Sequence, residues 1–445
     1  VILAFPKIDH EKDYVYSWMP FSLLTVAKPL LEEGLAEVVL FDGNEDPPDA
    51  WDRVLDRHLE DALCVGFSIM TGGGQISHAL ELAAAARARD RCPPLVFGGP
   101  HVNVLAEQTA LHPLVDVALT GPGQNSMPAL VRALACETPL ETVPGLTAYR
   151  SGRLLRGPAN PPRVESLGRY PWHLLDVDRY VRDDPTVAPR TLNYVSSQGC
   201  AYTCRFCYEL TYQRRYSTIG AADLVNDVEA LVRSHSIGGV KFYDADFFIN
   251  LHRVAGFCQG LEERGLAVRW AASINPRDVL RAEAKHPGLL ELMARTGCSR
   301  LLMGVESGSD RVLAEIVDKR VTRAQVLDVA RRIADVGILG SYTFIVGFPG
   351  ESEAEQDETY GLIEELSALR PRPESRVHVF APYPGTPLFE EAIRYGYRPP
   401  ASLQGWSGYD YYESQTPWTD QRTVARARGH TRMTLRPAGY AAVQS

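Results

Sequence analysis

Ser197-Gln198-Gly199-Cys200-Ala201-Tyr202-Thr203-Cys204-Arg205-Phe206-Cys207-Tyr208 sets three cysteines within eight residues. Thiolates this close form a soft, multi-sulfur ligand set. A four-iron (4Fe-4S) cluster normally takes four cysteines. Three leave one iron with an open position, where a substrate or cofactor binds. The alternative is zinc, but structural zinc takes four protein ligands. No fourth cysteine or histidine stands nearby, and the next cysteine is Cys258. Cys64, Cys92, Cys136, Cys258 and Cys298 are scattered through apolar or helical contexts and read as small packing residues. No disulfide framework is implied, which fits a reducing, cytoplasmic setting.

Cys-x3-Cys-x2-Cys with an aromatic, Phe206, before the last cysteine resembles the radical S-adenosylmethionine (SAM) superfamily. The resemblance implies that Cys200, Cys204 and Cys207 hold a 4Fe-4S cluster. Its open iron would chelate the amine and carboxylate of SAM. One electron would then cleave SAM to a 5′-deoxyadenosyl radical.

A chain of 445 residues is too long for one ordinary core, so two or three domains are expected. It is 45% hydrophobic and 23% charged, as soluble globular proteins are. The net charge of −9 comes with no basic block, which disfavours nucleic acid as a partner. No apolar run approaches the roughly 20 residues of a membrane span. Val1-Ile2-Leu3-Ala4-Phe5 is short for a signal peptide, lacks a charged leader and reads as a first strand. A start at Val rather than Met points to flanking residues beyond this sequence.

In residues 1–150 strand-like runs alternate with helical ones. Strands are expected at Val1–Phe5, Val38–Phe41, Leu63–Phe67, Leu95–Phe97 and Val115–Leu119, with an edge strand at Val143–Tyr149. Helices are expected at Phe21–Glu33, about Trp51–Glu60, about Ile76–Arg89 and near Met127–Ala135. This order argues a doubly wound, Rossmann-like parallel sheet, which binds ligands at the carboxyl ends of its strands. Three loops lie there: Ser68-Ile69-Met70-Thr71-Gly72-Gly73-Gly74, Gly98-Gly99-Pro100-His101 and Thr120-Gly121-Pro122-Gly123-Gln124. Glycine lets backbone approach a ligand closely, though tight turns explain such loops as well. Taken in order, they resemble the cobalamin-binding domain that precedes many radical SAM cores. Gly98–His101 matches that family's Gly-Gly-Pro-His loop, and Pro20-Phe21-Ser22-Leu23-Leu24 its first helix entry. Gly121-Pro122-Gly123-Gln124 is an imperfect match to Gly-Glu-Gly-Glu. By resemblance, Ser68, Ile69, Met70, Thr71, Gly98, Gly99, Pro100, His101, Gly121, Gly123 and Gln124 contact cobalamin. The Asp-x-His-x-x-Gly motif that supplies a cobalt-binding histidine is absent. Asp9-His10 lacks the spacing, and His58 reads as a helical surface residue. The implied cobalamin has its base detached, with Ile69–Thr71 rather than a histidine facing the cobalt underside; packing is the simpler reading of Met70.

Residues 151–190, rich in proline, arginine and aspartate, read as a linker. From Thr191 the alternation resumes, with strands expected at Leu192–Val195, Val240–Tyr243, Val268–Ala271, Arg300–Gly304, Tyr342–Val346 and Arg376–Phe380. Six such strands fit a partial (β/α)6 barrel over residues 191–387, with active residues at the strand carboxyl ends. A zwitterionic amino acid needs a carboxylate near its ammonium and donors near its carboxylate. The resemblance gives Asp244 and Asp246 the methionyl amine, Glu306 and Ser307 a Gly-x-Glu-Ser-Gly motif, and Val346, Gly347 and Ala381 the adenine. Arg277 is a candidate carboxylate partner. For the acids and Arg277, helix caps and ion pairs are the competing reading.

Residues 388–445 are less regular. Trp406, Tyr409, Tyr411, Tyr412 and Trp418 cluster there. They wall a substrate pocket or pack a tail onto the barrel, and both readings stand. Arg422 to Arg432 reads as a basic, solvated helix. The whole implies a cobalamin-dependent radical SAM methyltransferase, acting on a carbon of a small-molecule or peptide natural product, with an external electron donor of flavodoxin or ferredoxin type. The alternatives are ring contraction or cyclisation with the same cofactors, non-radical methylation of an aromatic carbon, and a cobalamin-binding regulator with a degenerate barrel.

Overall fold

Ile2-Leu3-Ala4-Phe5 is buried on both sides. Ile2 and Ala4 face one apolar cluster, and Leu3 and Phe5 face another. That is the mark of a parallel strand covered on both faces by helices. The computed structural model describes residues 1–8, 18–160, 167–212, 215–409 and 416–433. Asp9-His10, Tyr411 and Tyr412 lie outside the described residues.

The first sheet has the order β2-β1-β3-β4-β5-β6-β7. Its strands are β1 (Ile2–Phe5), β2 (Val39–Asp42), β3 (Val65–Ser68), β4 (Leu95–Gly98), β5 (Val117–Leu119), β6 (Leu146–Arg150) and β7 (Arg153–Arg156). The first five are parallel, and β6 and β7 add antiparallel. Helices α1 (Phe21–Glu32), α2 (Ala50–His58), α3 (Gly74–Arg87), α4 (Pro100–Ala110) and α5 (Gly123–Ala135) follow the parallel strands in turn. The 2-1-3-4-5 order puts the ligand crevice at the switch point beside β1 and β3.

The second sheet runs β16-β15-β14-β13-β12-β9-β8. Its members are β8 (Arg182–Asp184), β9 (Ala188–Tyr194), β12 (Gly239–Phe242), β13 (Arg269–Ile274), β14 (Cys298–Glu306), β15 (Leu339–Val346) and β16 (Glu374–Val379). The short pair β10 (Ser197–Gln198) and β11 (Ser217–Thr218) flanks the cysteine loop. From β9 to β16 all neighbours are parallel, giving the six-stranded half-barrel. The outer layer comprises α6 (Ala221–His235), α7 (Leu251–Glu263), α8 (Pro276–Lys285), α9 (Leu289–Arg295), α10 (Arg323–Asp335) and α11 (Glu353–Ser367). Leu192, Tyr194, Val240, Phe242, Leu301, Met303, Tyr342 and Phe344 pack outward against these helices. The inner face is polar: Lys241 pairs with Asp184 at 3.0 Å and Arg300 with Glu374 at 2.7 Å.

Residues 151–190 are more than a linker. They carry β7 and β8, one on each sheet, and bury Leu167, Tyr170, Val177 and Tyr180. The tail adds α12 (Pro387–Arg394) and α13 (Gln421–Gly429), whose far end bridges β16 through Ser375 and Arg432. Among the described residues no helix is long and apolar enough to cross a membrane.

Candidate functional site

The cysteine loop leaves β9 and is fixed from beneath by Asp244. That carboxylate accepts from Ser196 N at 2.6 Å, Ser196 Oγ at 2.6 Å and Ser197 N at 3.2 Å, with Arg253 at 3.7 Å. Both oxygens of Asp244 are thus engaged inside the chain. Phe206 anchors the other end, its ring 6.1 Å from Phe348. Burial pushes the Cys200 thiol up to about 12 and raises Cys204 and Cys207 as well. Buried thiols become thiolates when a metal binds them. Among the described residues no three Cys, His, Asp or Glu side chains converge on a single ion. Three thiols on one loop are one ligand short of a structural tetrahedral zinc site and are the soft set that an iron–sulfur cluster takes.

Around that loop the predicted SAM residues divide. Asp246 Oδ1 accepts from Phe248 N at 2.9 Å, but its Oδ2 is buried without a partner. Burial, and then the neighbouring Asp278 carboxylate, push Asp246 well above the usual carboxylate range. An ammonium placed there would satisfy the orphaned oxygen. Arg277 lies over the Tyr202 ring at 5.1 Å, beside the cysteines. Ser307 is fully buried and shares its hydroxyl with Thr359 at 3.0 Å and Ser309 N at 3.1 Å. Glu306 pairs with Lys319 at 2.9 Å. Val346 O accepts from Phe380 N at 2.8 Å. Gly347 N donates to Glu351 at 2.5 Å, and Gly347 O accepts from Trp418 Nε1 at 2.9 Å. Much of the backbone around the expected adenine contact is thus already hydrogen-bonded within the chain. Ala381 is half-buried next to Pro382, whose carbonyl accepts from Tyr409 Oη at 2.7 Å.

On the first sheet, the loops after β3, β4 and β5 meet. Ile69 N donates to Gly98 O at 3.0 Å, and His101 N donates to Ile69 O at 3.2 Å. Gly99 has φ +96, and a Cβ there would stand 2.7 Å from Ile69 O, so only glycine fits. Ile69 is in the core, whereas Met70 is 41% exposed; of the two, Met70 is the side chain available to a ligand. Gly98, Gly99, Pro100, Gly121, Gly123 and Gln124 line a cavity of about 250 Å3 whose floor is β3 and β4 and whose walls are α1 and α5. Its wall also includes Val195 and Gln198 from the cysteine-bearing segment. Gln124 Nε2, on the wall of this cavity, is buried without a partner; Thr71 Oγ1 and both His101 ring nitrogens are also unpartnered, but those two residues lie outside its lining. Native structures rarely leave such atoms unsatisfied, so the Gln124 amide fits a polar ligand group in the cavity. A glycine cradle, an apolar cavity and one orphaned amide donor fit a large cofactor with a flat base, such as cobalamin.

Three participants escaped the sequence reading. Asn103 accepts from Gly121 N at 2.8 Å and donates to Tyr208 Oη at 3.0 Å, joining the cofactor loops to the cysteine loop. Burial raises Glu209 to about 7, and its Oε2 has no partner. Lys319 is the third. The first two stand in ordinary helical or turn sequence; the only hints are that Glu209 closely follows Cys207 and Asn103 closely follows His101.

A sheet of flavodoxin-like order joined to a half-barrel with a three-cysteine loop defines a radical SAM protein with a cofactor-binding domain. Residues 194–363 match the Radical SAM superfamily and residues 13–131 the B12 binding domain. The chain carries a radical SAM domain and a B12-binding domain, which imply a 4Fe-4S cluster, SAM and cobalamin. An uncharacterized methyltransferase of Pyrococcus horikoshii is 27% identical over 67% of this chain and 63% of its own length. An anaerobic magnesium-protoporphyrin IX monomethyl ester cyclase of Rubrivivax gelatinosus is 27% identical over 66% of this chain and 52% of its own. The chain thus spans roughly half to just under two thirds of these relatives. The radical SAM methyltransferase TsrM from Kitasatospora setae, with cobalamin and a 4Fe-4S cluster bound, shares the fold. Its TM-score is 0.68 at 17% identity, over 96% of this chain and 87% of that one. The cobalamin-dependent SAM radical enzyme OxsB, with aqua-cobalamin and SAM bound, has a TM-score of 0.66 at 18% identity, over 83% and 52%.

Proposed function

We propose that the chain is a cobalamin-dependent radical SAM methyltransferase acting on a carbon of a small-molecule or peptide substrate. The observation that carries this reading is the juxtaposition of the two strand-end faces: Asn103 bridges Gly121 of one sheet to Tyr208 of the cysteine loop. When bound, the cluster with SAM supplies a carbon-centred radical, and cobalamin supplies a transferable methyl. Cys200, Cys204 and Cys207 would hold the cluster, and Asp246 would take the methionyl ammonium. The loops at Gly98–His101 and Gly121–Gln124 would seat cobalamin. One cleft would then bring all three to a substrate in the barrel mouth, the proximity that group transfer needs. Trp418 and Tyr409 close the tail over the same end of the barrel.

The test is anaerobic incubation with SAM labelled at its methyl carbon, read by product mass. A gain of one methylene carrying the label, with deoxyadenosine release that Cys204→Ala abolishes, is the expected result. Identity to the cyclases favours one second reading, a ring-forming reaction with the same cofactors. It predicts deoxyadenosine release with no change in the product's methyl count, an outcome that would overturn methyl transfer.

A further inference from the structure

Lys319 and Glu306 form a buried ion pair, each side chain 7% exposed, with Nζ 2.9 Å from Oε1. Such a pair contributes little net stability, because desolvation offsets the attraction. Its backbone is also strained. Glu306 (φ 74), Asp318 (φ 56) and Arg320 (φ 57) are non-glycine residues in the left-handed region, a conformation that persists only where the surroundings hold it. A π-helical turn at Val312–Ile316 leads into the loop, and such turns gather at functional sites.

The strained loop is clamped to the cysteine loop. Arg205 N donates to Val317 O at 2.9 Å, and Thr203 Oγ1 donates to Asp318 at 2.6 Å. Lys319 N is tied back to Leu313 O at 2.8 Å. The two clamps grip the residues on either side of Cys204, and Lys319 directly follows the clamped pair Val317-Asp318. Burial pushes the Cys204 thiol up, and the Lys319 ammonium opposes it. Three left-handed residues, a π turn and two clamps all hold one ammonium on the loop that grips Cys204.

We infer that Lys319, with Glu306 as counter-charge, sets the reduction potential of the cluster carried by Cys200, Cys204 and Cys207. The inference rests on the assignment of those cysteines to the cluster. A fixed positive charge nearby stabilises the more negative, one-electron-reduced cluster and raises its potential. The step is one electron from an external low-potential reductant to the cluster; no bond breaks and no proton moves. Lys319 is a positioning residue in this proposal, acting through its charge on the cluster.

The experiment is an EPR-monitored redox titration of the full chain with reconstituted cluster, reduced by titanium(III) citrate without SAM. Lys319→Met should move the midpoint to more negative potential, Lys319→Arg should keep it near wild type, and Glu306→Gln should move it more positive. Unchanged midpoints in Lys319→Met and Glu306→Gln, at full iron and sulfide content, overturn the inference. If Lys319→Met does not load, Glu306→Gln decides, because it keeps the ammonium. Should the wild-type chain take up no iron and sulfide, the cluster assignment falls, and this inference with it.

Discussion

His101 is a buried imidazole with no hydrogen-bond partner on either nitrogen, its ring 5.9 Å from that of Trp406. Burial holds its pKa at about 4, below the ordinary 6.5. The unfolded chain takes up a proton below pH 6.5, which the folded chain refuses until about pH 4. Stability from this residue is therefore complete above pH 6.5 and falls as the pH drops toward 4. At pH 5 the loss is about 2 kcal/mol. Urea unfolding of wild type and His101→Leu at pH 7.5 and pH 5 isolates it, since His378, also lowered by burial, titrates in both. The variant should lose less stability on acidification by that amount; equal losses would show that His101 does not carry the dependence. The sequence reading placed His101 in a cofactor loop through Gly98-Gly99-Pro100-His101. Its isolation among Trp406 and the core was invisible there, because Trp406 stands three hundred residues away.

Adjacent glycines in the β4–α4 turn do different work. A Cβ on Gly99 would press on Ile69 backbone at 2.7 and 2.9 Å from a left-handed φ, whereas one on Gly98 would meet only Leu119 O at 3.8 Å. Gly99→Ala should therefore destabilise the domain by at least about 1 kcal/mol. Gly98→Ala should leave thermal unfolding nearly unchanged. Its methyl would intrude on the cavity beside α1, so cobalamin retention, followed by absorbance after gel filtration, should fall. Full retention in Gly98→Ala would move the cofactor away from that cavity. Elements with local signals were legible: the buried parallel strands are continuous apolar runs, and the cysteine loop is a spacing. The pieces that were missed lack such signals. Arg153-Leu154-Leu155-Arg156 and Arg182-Asp183-Asp184 are short, charged edge strands with no apolar period, so 151–190 reads as a linker. Asp244 and Asp246 look equivalent in sequence, yet one is locked to Ser196 and Ser197 while the other keeps a free oxygen. Only the fold separates them.

At the scale of the molecule, the tail decides how the two sheets stay face to face. Trp406 is 1% exposed, and its Nε1 donates to Gln108 on α4 at 2.8 Å, while its carbonyl accepts from Gly73 N at 2.9 Å. Gln108 in turn donates to Pro400 O at 3.2 Å, and Tyr409, its ring tilted 56° to that of Trp406 at 5.3 Å, donates to Pro382 O at the barrel mouth. The tail aromatics thus include one that rivets the cofactor domain to the barrel, which resolves for Trp406 the choice between pocket wall and packing in favour of packing. Removing it leaves a large cavity between the domains and takes the donor from Gln108 Oε1. Trp406→Ala should cost about 3–5 kcal/mol. The loss falls on contacts between domains rather than within either core, so cooperativity should suffer as well. Urea unfolding followed in parallel by far-UV circular dichroism and cobalamin absorbance should coincide in wild type. In the variant the cobalamin signal should be lost at lower urea than the barrel's secondary structure. Trp406→Phe keeps most of the apolar volume and should restore much of the coincidence. Coincident transitions in Trp406→Ala, merely shifted together, would mean that the sheets are held face to face by the Asn103 bridge and its neighbours instead of the tail.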